Sequence, residues 1–410
     1  MSMEGTQLQV AACDLSSLID LNSNSVGRDY PHAEIEYIDI SSVGSGTQNA
    51  PTLYRLSDAP GRARRLVAHG DTILATVRPN LRSFLFVKQP SERTVASTGF
   101  AVLRPKKGVD PRFVYYTVTN QGFTDYLTSN AKGSAYPAVD AEIIKRARVF
   151  CPPLSTQRKI AAILAAYDDL IENNTRRIQI LEDMAQMLYR EWFVHFHFPG
   201  HKQSKMVESA LGLIPEGWKY SSLFDAAEVT YGFPFKSALF GSEGDNGIIR
   251  IRDIKGNGTQ TFTNEKPLDK YTVNNGDLLV GMDGEFHMGK WAGGKAWLNQ
   301  RVVRFRPKDQ LSRYYLFSAL KPYIKEFERT IVGTTVAHLS DRDLKSIKLL
   351  IPKPGIQALS NDIFNPIFDQ EINLHTRNTN LRQTRDLLLP RLISGELDVA
   401  DLDIAMGELS

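Results

Sequence analysis

The chain has 410 residues, 42% of them hydrophobic and 23% charged, with a formal net charge of +3. These values fit a globular chain with a sizeable core and exclude collagen-like, disordered and disulfide-rich classes. The length suggests two or three domains at roughly 150 residues each.

No apolar run approaches the ~18 residues of a membrane span, and Met1–Gly5 has neither the basic nor the apolar region of a signal peptide. The only two cysteines, Cys13 and Cys151, lie far apart in sequence and in no metal-ligand spacing. A reducing cytoplasm is the simplest home for them.

In chain order, the first predicted strand is Ile35-Glu36-Tyr37-Ile38-Asp39-Ile40, followed by the loop Gly44-Ser45-Gly46. His69-Gly70-Asp71-Thr72-Ile73-Leu74 is a turn leading into a buried strand. Lys132-Gly133-Ser134-Ala135 is a further turn, and Val149-Phe150-Cys151-Pro152 an apolar strand closing on proline. Then Ile160, Leu164, Tyr167, Ile171, Asn174, Ile178, Leu181, Ala185, Leu188 and Trp192 recur at alternating gaps of four and three, a coiled-coil seam. A single helix over this span is ~50 Å long at ~1.5 Å per residue, a spacer rather than an ordinary globular helix. Asn174 on the seam is either a register-fixing polar residue or a surface Asn on a rotated helix. Pro199–Ser204 is a loop opening the second half.

The same landmarks then return. Ile249-Arg250-Ile251-Arg252-Asp253-Ile254 echoes the first strand, Gly256-Asn257-Gly258 its loop, and Asn275-Gly276-Asp277-Leu278-Leu279-Val280 the Gly-Asp turn. Val332-Gly333-Thr334-Thr335 echoes the 132–135 turn, and Leu349-Leu350-Ile351-Pro352 the strand ending in proline. The late landmarks sit about 200 residues apart and the early ones slightly further, which marks a duplication. A less regular stripe, Ile363, Ile367, Leu374, Leu381 and Leu388, predicts a second helix from near Asn365 to about Leu389, ended or bent by Pro390. Beyond Gly395 the acidic tail is expected to fray or to dock on a partner.

Charge is unevenly distributed. Residues 55–107 hold eleven basic side chains against Asp58, Asp71 and Glu92, a net of +8. Residues 286–308 hold Lys290, Lys295, Arg301, Arg304, Arg306 and Lys308 and no carboxylate. The first helix is acidic instead, with three basic and six acidic residues from Ile160 to Glu191. Two basic lobes at corresponding places in a duplication favour a polyanionic partner.

A catalytic constellation is not visible. Asn365-Pro366-Ile367-Phe368 resembles the target-clamping signature of amino-methylating DNA methyltransferases, but the second proline and a Gly-rich cofactor loop are missing. His195, His197 and His201 alternate with Phe196 and Phe198, a packing pattern rather than a zinc set. Asp140-Ala141-Glu142 with Lys145 has the wrong spacing for a nuclease carboxylate–lysine set. No phosphate-binding loop or nucleophile elbow occurs.

Several features together resemble one family over essentially the whole chain. They are Cys151-Pro152-Pro153-Leu154-Ser155-Thr156-Gln157-Arg158-Lys159-Ile160-Ala161, the Asp168–Ile171 step, Leu211-Gly212-Leu213-Ile214-Pro215-Glu216-Gly217-Trp218, and Leu389-Pro390-Arg391-Leu392-Ile393-Ser394-Gly395-Glu396-Leu397. The sequence is similar to specificity (S) subunits of type I restriction–modification systems. It departs from the pattern at Pro352-Lys353-Pro354-Gly355-Ile356-Gln357, which leaves the register of the second helix open.

The resemblance implies an α+β fold: two repeated globular target-recognition domains joined by two long conserved helices packed as an antiparallel coiled coil. Its parts are expected at 1–155 and 199–355 for the domains, 156–198 and 356–395 for the helices, and 396–410 for the tail. It further implies a non-catalytic chain that binds a bipartite double-stranded DNA site. The partners would be two modification (methyltransferase) subunits and restriction (translocase/endonuclease) subunits. S-adenosylmethionine, ATP and Mg would belong to those partners, with no cofactor in this chain. Candidate DNA-contacting residues are Arg62, Arg64, Arg65, Arg78, Arg82, Gly133 and Ser134 in the first lobe. In the second they are Lys236, Arg250, Arg252, Lys255, Lys290, Lys295, Gly333 and Thr334. The rival readings are a helical scaffold without DNA binding and an orphan DNA methyltransferase.

Overall fold

The computed structural model describes residues 12–210, 212–331 and 337–404. The chain divides into two compact units, residues 1–169 with 382–410 and residues 170–381.

In the first unit, the duplication's Gly-Asp turn feeds the central strand Thr72–Ala75. It lies in a four-stranded sheet of order Ile19–Leu21, Phe100–Pro105, Thr72–Ala75, Phe84–Phe86. A second sheet runs Thr52–Arg55, Glu34–Ile38, Thr94–Ser97, Ala63–Leu66, with its middle pair parallel. Alternating side chains from both sheets meet in one core that includes Ile38, Ile73, Ala96, Phe100 and Val102, the expected result of two half-apolar sheets facing each other.

The second unit repeats this order. One sheet runs Ala227–Tyr231, Val302–Pro307, Leu278–Gly281, Met288–Lys290; the other runs Phe262–Thr263, Asn246–Ile249, Ala296–Leu298, Thr272–Val273, again with a parallel middle pair. Each unit closes with a two-stranded pair just before its long helix, Ala12–Asp14 with Arg148–Phe150 and Lys219–Ser222 with Lys348–Ile351.

The first of those pairs brings the cysteines together. Cys13 and Cys151 form a disulfide with Cα atoms 5.8 Å apart, a proximity that their separation of 138 residues concealed. The paired Asp-Ile strands also need correcting. Glu34–Ile38 is a strand, but residues 251–253 form a 3-10 turn after the strand Asn246–Ile249. Asp253 stops the strand, because its carboxylate accepts a hydrogen bond from the Arg250 amide at 2.9 Å.

The first long helix spans Leu154–Tyr189 and continues as a π-helical turn, Arg190–Val194. Its seam is buried or half-buried at every predicted position. The second long helix spans Pro354–Ile393. It therefore starts eleven residues before the predicted Asn365 and runs through both Pro366 and Pro390. A proline at 366 removes one amide donor, but Phe364 and Phe368 on either side are buried in the second unit's core, and that packing outweighs the lost bond. The methyltransferase-like tetrapeptide is thus helix interior, with its Phe368 wholly buried.

Both helices start the same way. Gln157 donates to the Pro152 carbonyl at 2.9 Å and Gln357 to the Pro352 carbonyl at 2.7 Å. The Pro-to-Gln spacing is thus a tie between strand exit and helix start. The second helix ends at Gly395 (φ +77°), the left-handed position that a helix terminus favours; a Cβ there would strike the Phe150 ring at 2.9 Å. The tail was expected to fray or to dock on a partner. As far as residue 404 it instead folds onto its own unit: Val399 is buried and Lys159 donates to the Ala400 carbonyl at 2.6 Å.

Candidate nucleic-acid interface

The basic runs are less free than their composition implies. Asp71 accepts two bonds from Arg104, at 2.9 and 2.6 Å, and one from the Ala68 amide at 2.7 Å. Asp277 repeats the arrangement with Arg306, at 2.6 and 2.7 Å, and with the Asn274 amide at 2.8 Å. The duplicated Gly-Asp signature is therefore a forked arginine–carboxylate clasp across two neighbouring strands. In each lobe those hydrogen bonds hold the arginine above its ordinary pKa. Arg93 pairs with Glu34 and Glu36, Arg301 with Asp283, and the buried Arg304 with Glu228. Much of the local positive charge is compensated inside each lobe.

Lys290 is the clearest correction. Its side chain is only 7% exposed, and its ammonium contacts Glu371 and, at 3.1 Å, Glu182, under the rings of Tyr314 and Phe317. It cannot reach a DNA surface. Burial pushes Glu371 up to about 7 even beside Lys290, while the half-buried Glu182 is drawn down by the same ammonium.

In the first lobe, Arg62 precedes the strand Ala63–Leu66 and Arg64 and Arg65 lie on it; Arg62 and Arg64 are exposed and Arg65 is half-buried. None of the three has a carboxylate within 4 Å among the described residues; Arg64 bonds the Gly61 carbonyl at 3.2 Å. Arg78 and Arg82 flank the short turn Pro79–Leu81. The Arg78 amide donates to the Pro137 carbonyl at 2.7 Å, so this turn and the loop carrying Gly133 and Ser134 form one surface. Arg82 turns inward, donating to the Thr119 carbonyl at 2.8 Å, Gln121 at 2.7 Å and Thr124 at 3.2 Å. It anchors that surface rather than presenting a charge. Sequence reasoning missed the exposed Leu81 and Tyr136 of the same surface, because a lone apolar residue in a loop carries no periodic signal.

In the second lobe Lys236, Arg250, Lys255 and Lys295 are exposed and form no ion pair within 4 Å among the described residues. Arg252 is exposed beside Asp253 at 3.7 Å. Gly333 and Thr334 lie outside the described residues. Their flanks match the first lobe, since the Gly284 amide donates to the Ala337 carbonyl at 2.9 Å as Arg78 does to Pro137.

The long helices carry polar contacts at regular intervals. In the first unit Asp168 accepts from Arg385 at 2.6 Å and from the Tyr116 hydroxyl at 2.7 Å. In the second, Asn174 donates to Asn378 at 2.9 Å, and Asn378 in turn donates to Thr175 at 3.2 Å. Glu371 meets Lys290 further along. The pairing is antiparallel within each unit: Asp168 meets Arg385 while Lys159 meets Ala400 in the first, and Asn174 meets Asn378 while Glu182 and Glu371 share Lys290 in the second. The lobes are also tied to their helices by Arg112–Asp169 at 3.3 Å and Arg313–Asp369 at 2.6 Å, carboxylates that occupy equivalent places in the duplication. His197 bonds Glu191, and the neighbouring histidine rings pack side by side. Among the described residues no group of three or more His, Cys, Asp or Glu side chains is placed to hold a metal, and no helix is long and apolar enough to cross a membrane.

A duplicated two-sheet lobe mounted on antiparallel helices defines a class, and the comparisons agree with it. Residues 28–183 and 215–382 each match the type I restriction modification DNA specificity domain. The chain belongs to that family, whose members are specificity subunits and not catalytic. It is 27% identical to the type I restriction enzyme MjaIX specificity subunit of Methanocaldococcus jannaschii, over 81% of this chain and 78% of that one. It is 23% identical to the HindI specificity subunit of Haemophilus influenzae, over 83% and 90%. The fold is shared with the crystal structure of a type I restriction–modification S subunit from M. genitalium, with a TM-score of 0.59 at 15% identity over 96% of this chain and 98% of that one. Neither the scaffold nor the orphan methyltransferase reading finds support in these matches.

Proposed function

We propose that this chain is the sequence-reading subunit of a multi-subunit adenine methyltransferase and endonuclease, each lobe taking one half of a bipartite double-stranded DNA site. The recognition lobes are assigned to 1–155 and 199–355, the spacer helices to 156–198 and 356–395, and the tail to 396–410. The observation that carries the reading is the paired specificity domain, with exposed cations in both lobes that have no carboxylate within 4 Å among the described residues.

Arg62, Arg64, Arg65 and Arg78 in the first lobe, and Lys236, Arg250, Arg252, Lys255 and Lys295 in the second, supply phosphate and base-edge contacts. Gly133 and Ser134 sit in the loop beside the first set, and Gly333 and Thr334, outside the described residues, are proposed for the same contact role in the second. The helix pair fixes the unread spacer and docks two modification subunits, which bring S-adenosylmethionine and flip the adenine. Restriction subunits bring ATP and Mg, and the assembly works in the cytoplasm.

The test is DNA binding by the assembled complex across a salt series. Each phosphate contact adds ~0.9 to the negative slope of log K against log salt. Changing Arg62, Arg64 and Arg65 together to Ala is expected to weaken binding and flatten the slope while the second half-site is still read. An unchanged affinity and slope would remove this cluster from the interface.

A further inference from the structure

One surface of the first lobe is built more rigidly than a solvent-facing loop requires. Arg78 (φ +49°) and Arg82 (φ +55°) are both non-glycine residues in the left-handed region, on either side of Pro79–Leu81. Such conformations cost free energy and persist only where the surroundings impose them. Here they are imposed from several sides. Arg82 is tied to three groups at 119–124, and its carbonyl accepts from Ser45 at 2.8 Å. The Arg78 amide is bound to Pro137, and the facing loop is closed by reciprocal amide–carbonyl bonds of 2.9 Å between Lys132 and Ala138.

What this frame holds up is apolar and exposed. Leu81 is 63% and Tyr136 70% exposed, and the Arg78 guanidinium lies over the Tyr136 ring at 4.7 Å. The Arg78 guanidinium has no carboxylate within 4 Å among the described residues, and its hydrogen bond to the Ala135 carbonyl is a long 3.5 Å contact. A single exposed Leu or Tyr is ordinary. Two of them beside an aromatic-stacked, unpaired arginine, on strained backbone fixed at both ends, form a prepared contact surface. Its chemistry is that of a major-groove base edge: a guanidinium in a set plane for guanine O6 and N7, and apolar groups for a thymine methyl.

We propose that Arg78, Leu81 and Tyr136 are the specificity-determining residues of the first lobe, with Leu81 and Tyr136 against an apolar base edge and Arg78 on guanine. Arg82 is then a positioning residue. This assignment rests on the DNA-reading function proposed above.

The test uses the assembled complex with Leu81→Ala, Tyr136→Ala and Arg78→Ala. Methyl transfer is measured on duplexes in which each base pair of the mapped site is changed in turn, and in which thymines of the first half-site are replaced by deoxyuridine. Wild type is expected to lose roughly 5-fold or more on one deoxyuridine replacement, and Leu81→Ala or Tyr136→Ala to be insensitive to the same replacement. Arg78→Ala is expected to relax discrimination at one G·C pair by a similar factor. The second half-site, the spacer and the thermal midpoint stay as in wild type. Undiminished discrimination at every position overturns the proposal, and so does a uniform loss on all sequences with a shallower salt slope, which marks a phosphate contact. A variant that melts early is replaced by Tyr136→Phe and Leu81→Met, for which retained discrimination is expected and lost discrimination counts against the assignment. If the wild-type complex methylates no bipartite site, the function proposed above fails and takes this assignment with it. If it does methylate one and the variants behave as wild type, only this assignment fails.

Discussion

At the residue scale, the side chains that matter most are those whose role their type alone does not reveal. Lys290 was a candidate DNA contact by composition, yet it lies between Glu182 and Glu371, with His375 3.9 Å from the latter. Removing one member of a buried ionic group leaves the others uncompensated, at roughly 3–5 kcal/mol. Lys290→Met is expected to lower stability by about that amount without changing the salt slope of DNA binding, as measured by urea midpoints and titrations.

Glu371 gives the pH dependence. Burial raises its pKa from the ordinary carboxylate range to about 7. The stability tied to its protonated form is fully present below about 4.5 and is lost as pH rises through about 7. Glu371→Gln stays neutral throughout. Its urea midpoint is expected to fall less than that of wild type between pH 5 and pH 8, with Glu182, His375 and Lys290 unchanged in both proteins.

At the scale of elements, the second helix shows why a seam can be hard to read. Its polar residues Glu371, Asn378 and Arg385 recur every seven positions, and each has a partner: Lys290, Asn174 and Asp168. A seam position repeatedly filled by polar groups lowers the apolar periodicity while keeping the heptad geometry. The second stripe therefore looks irregular, and the register left open in sequence is set by the two pairs that join the helices, Asn174–Asn378 and Asp168–Arg385. Asn378→Leu alone leaves the Asn174 amide buried without its acceptor and is expected to cost ~1–3 kcal/mol. The double change Asn174→Leu with Asn378→Leu is expected to recover that loss at the expense of a unique register. A double-mutant cycle on urea unfolding, with a coupling near zero as the opposing result, decides it.

At the scale of the whole molecule, the first helix is continuous from Leu154 to Tyr189. Seven further residues add ~10 Å, about three base pairs at ~3.4 Å each. Because the helices pair, the heptads belong in both: one between Asp168 and Asn174, the other between Asn378 and Arg385. The methylated site is expected to gain about three base pairs of spacer with both half-sites unchanged. Methylation at the original spacing, with full activity, would count against the ruler.

The duplication, its period, the first helix and its seam were legible in sequence because each depends on local periodicity or on motifs repeated along the chain. The glutamine ties at Gln157 and Gln357 and the glycine terminus at Gly395 likewise follow from short-range geometry. Tertiary structure decided everything that requires two distant segments to meet. It joined Cys13 to Cys151, carried the second helix through Pro366 on the packing of Phe364 and Phe368, and drew Arg104 and Arg306 onto Asp71 and Asp277. It buried Lys290 and exposed Tyr136. A charge count along the chain cannot separate a cation that meets a carboxylate across a sheet from one that meets only solvent, since Coulomb energy depends on distance in space and on burial.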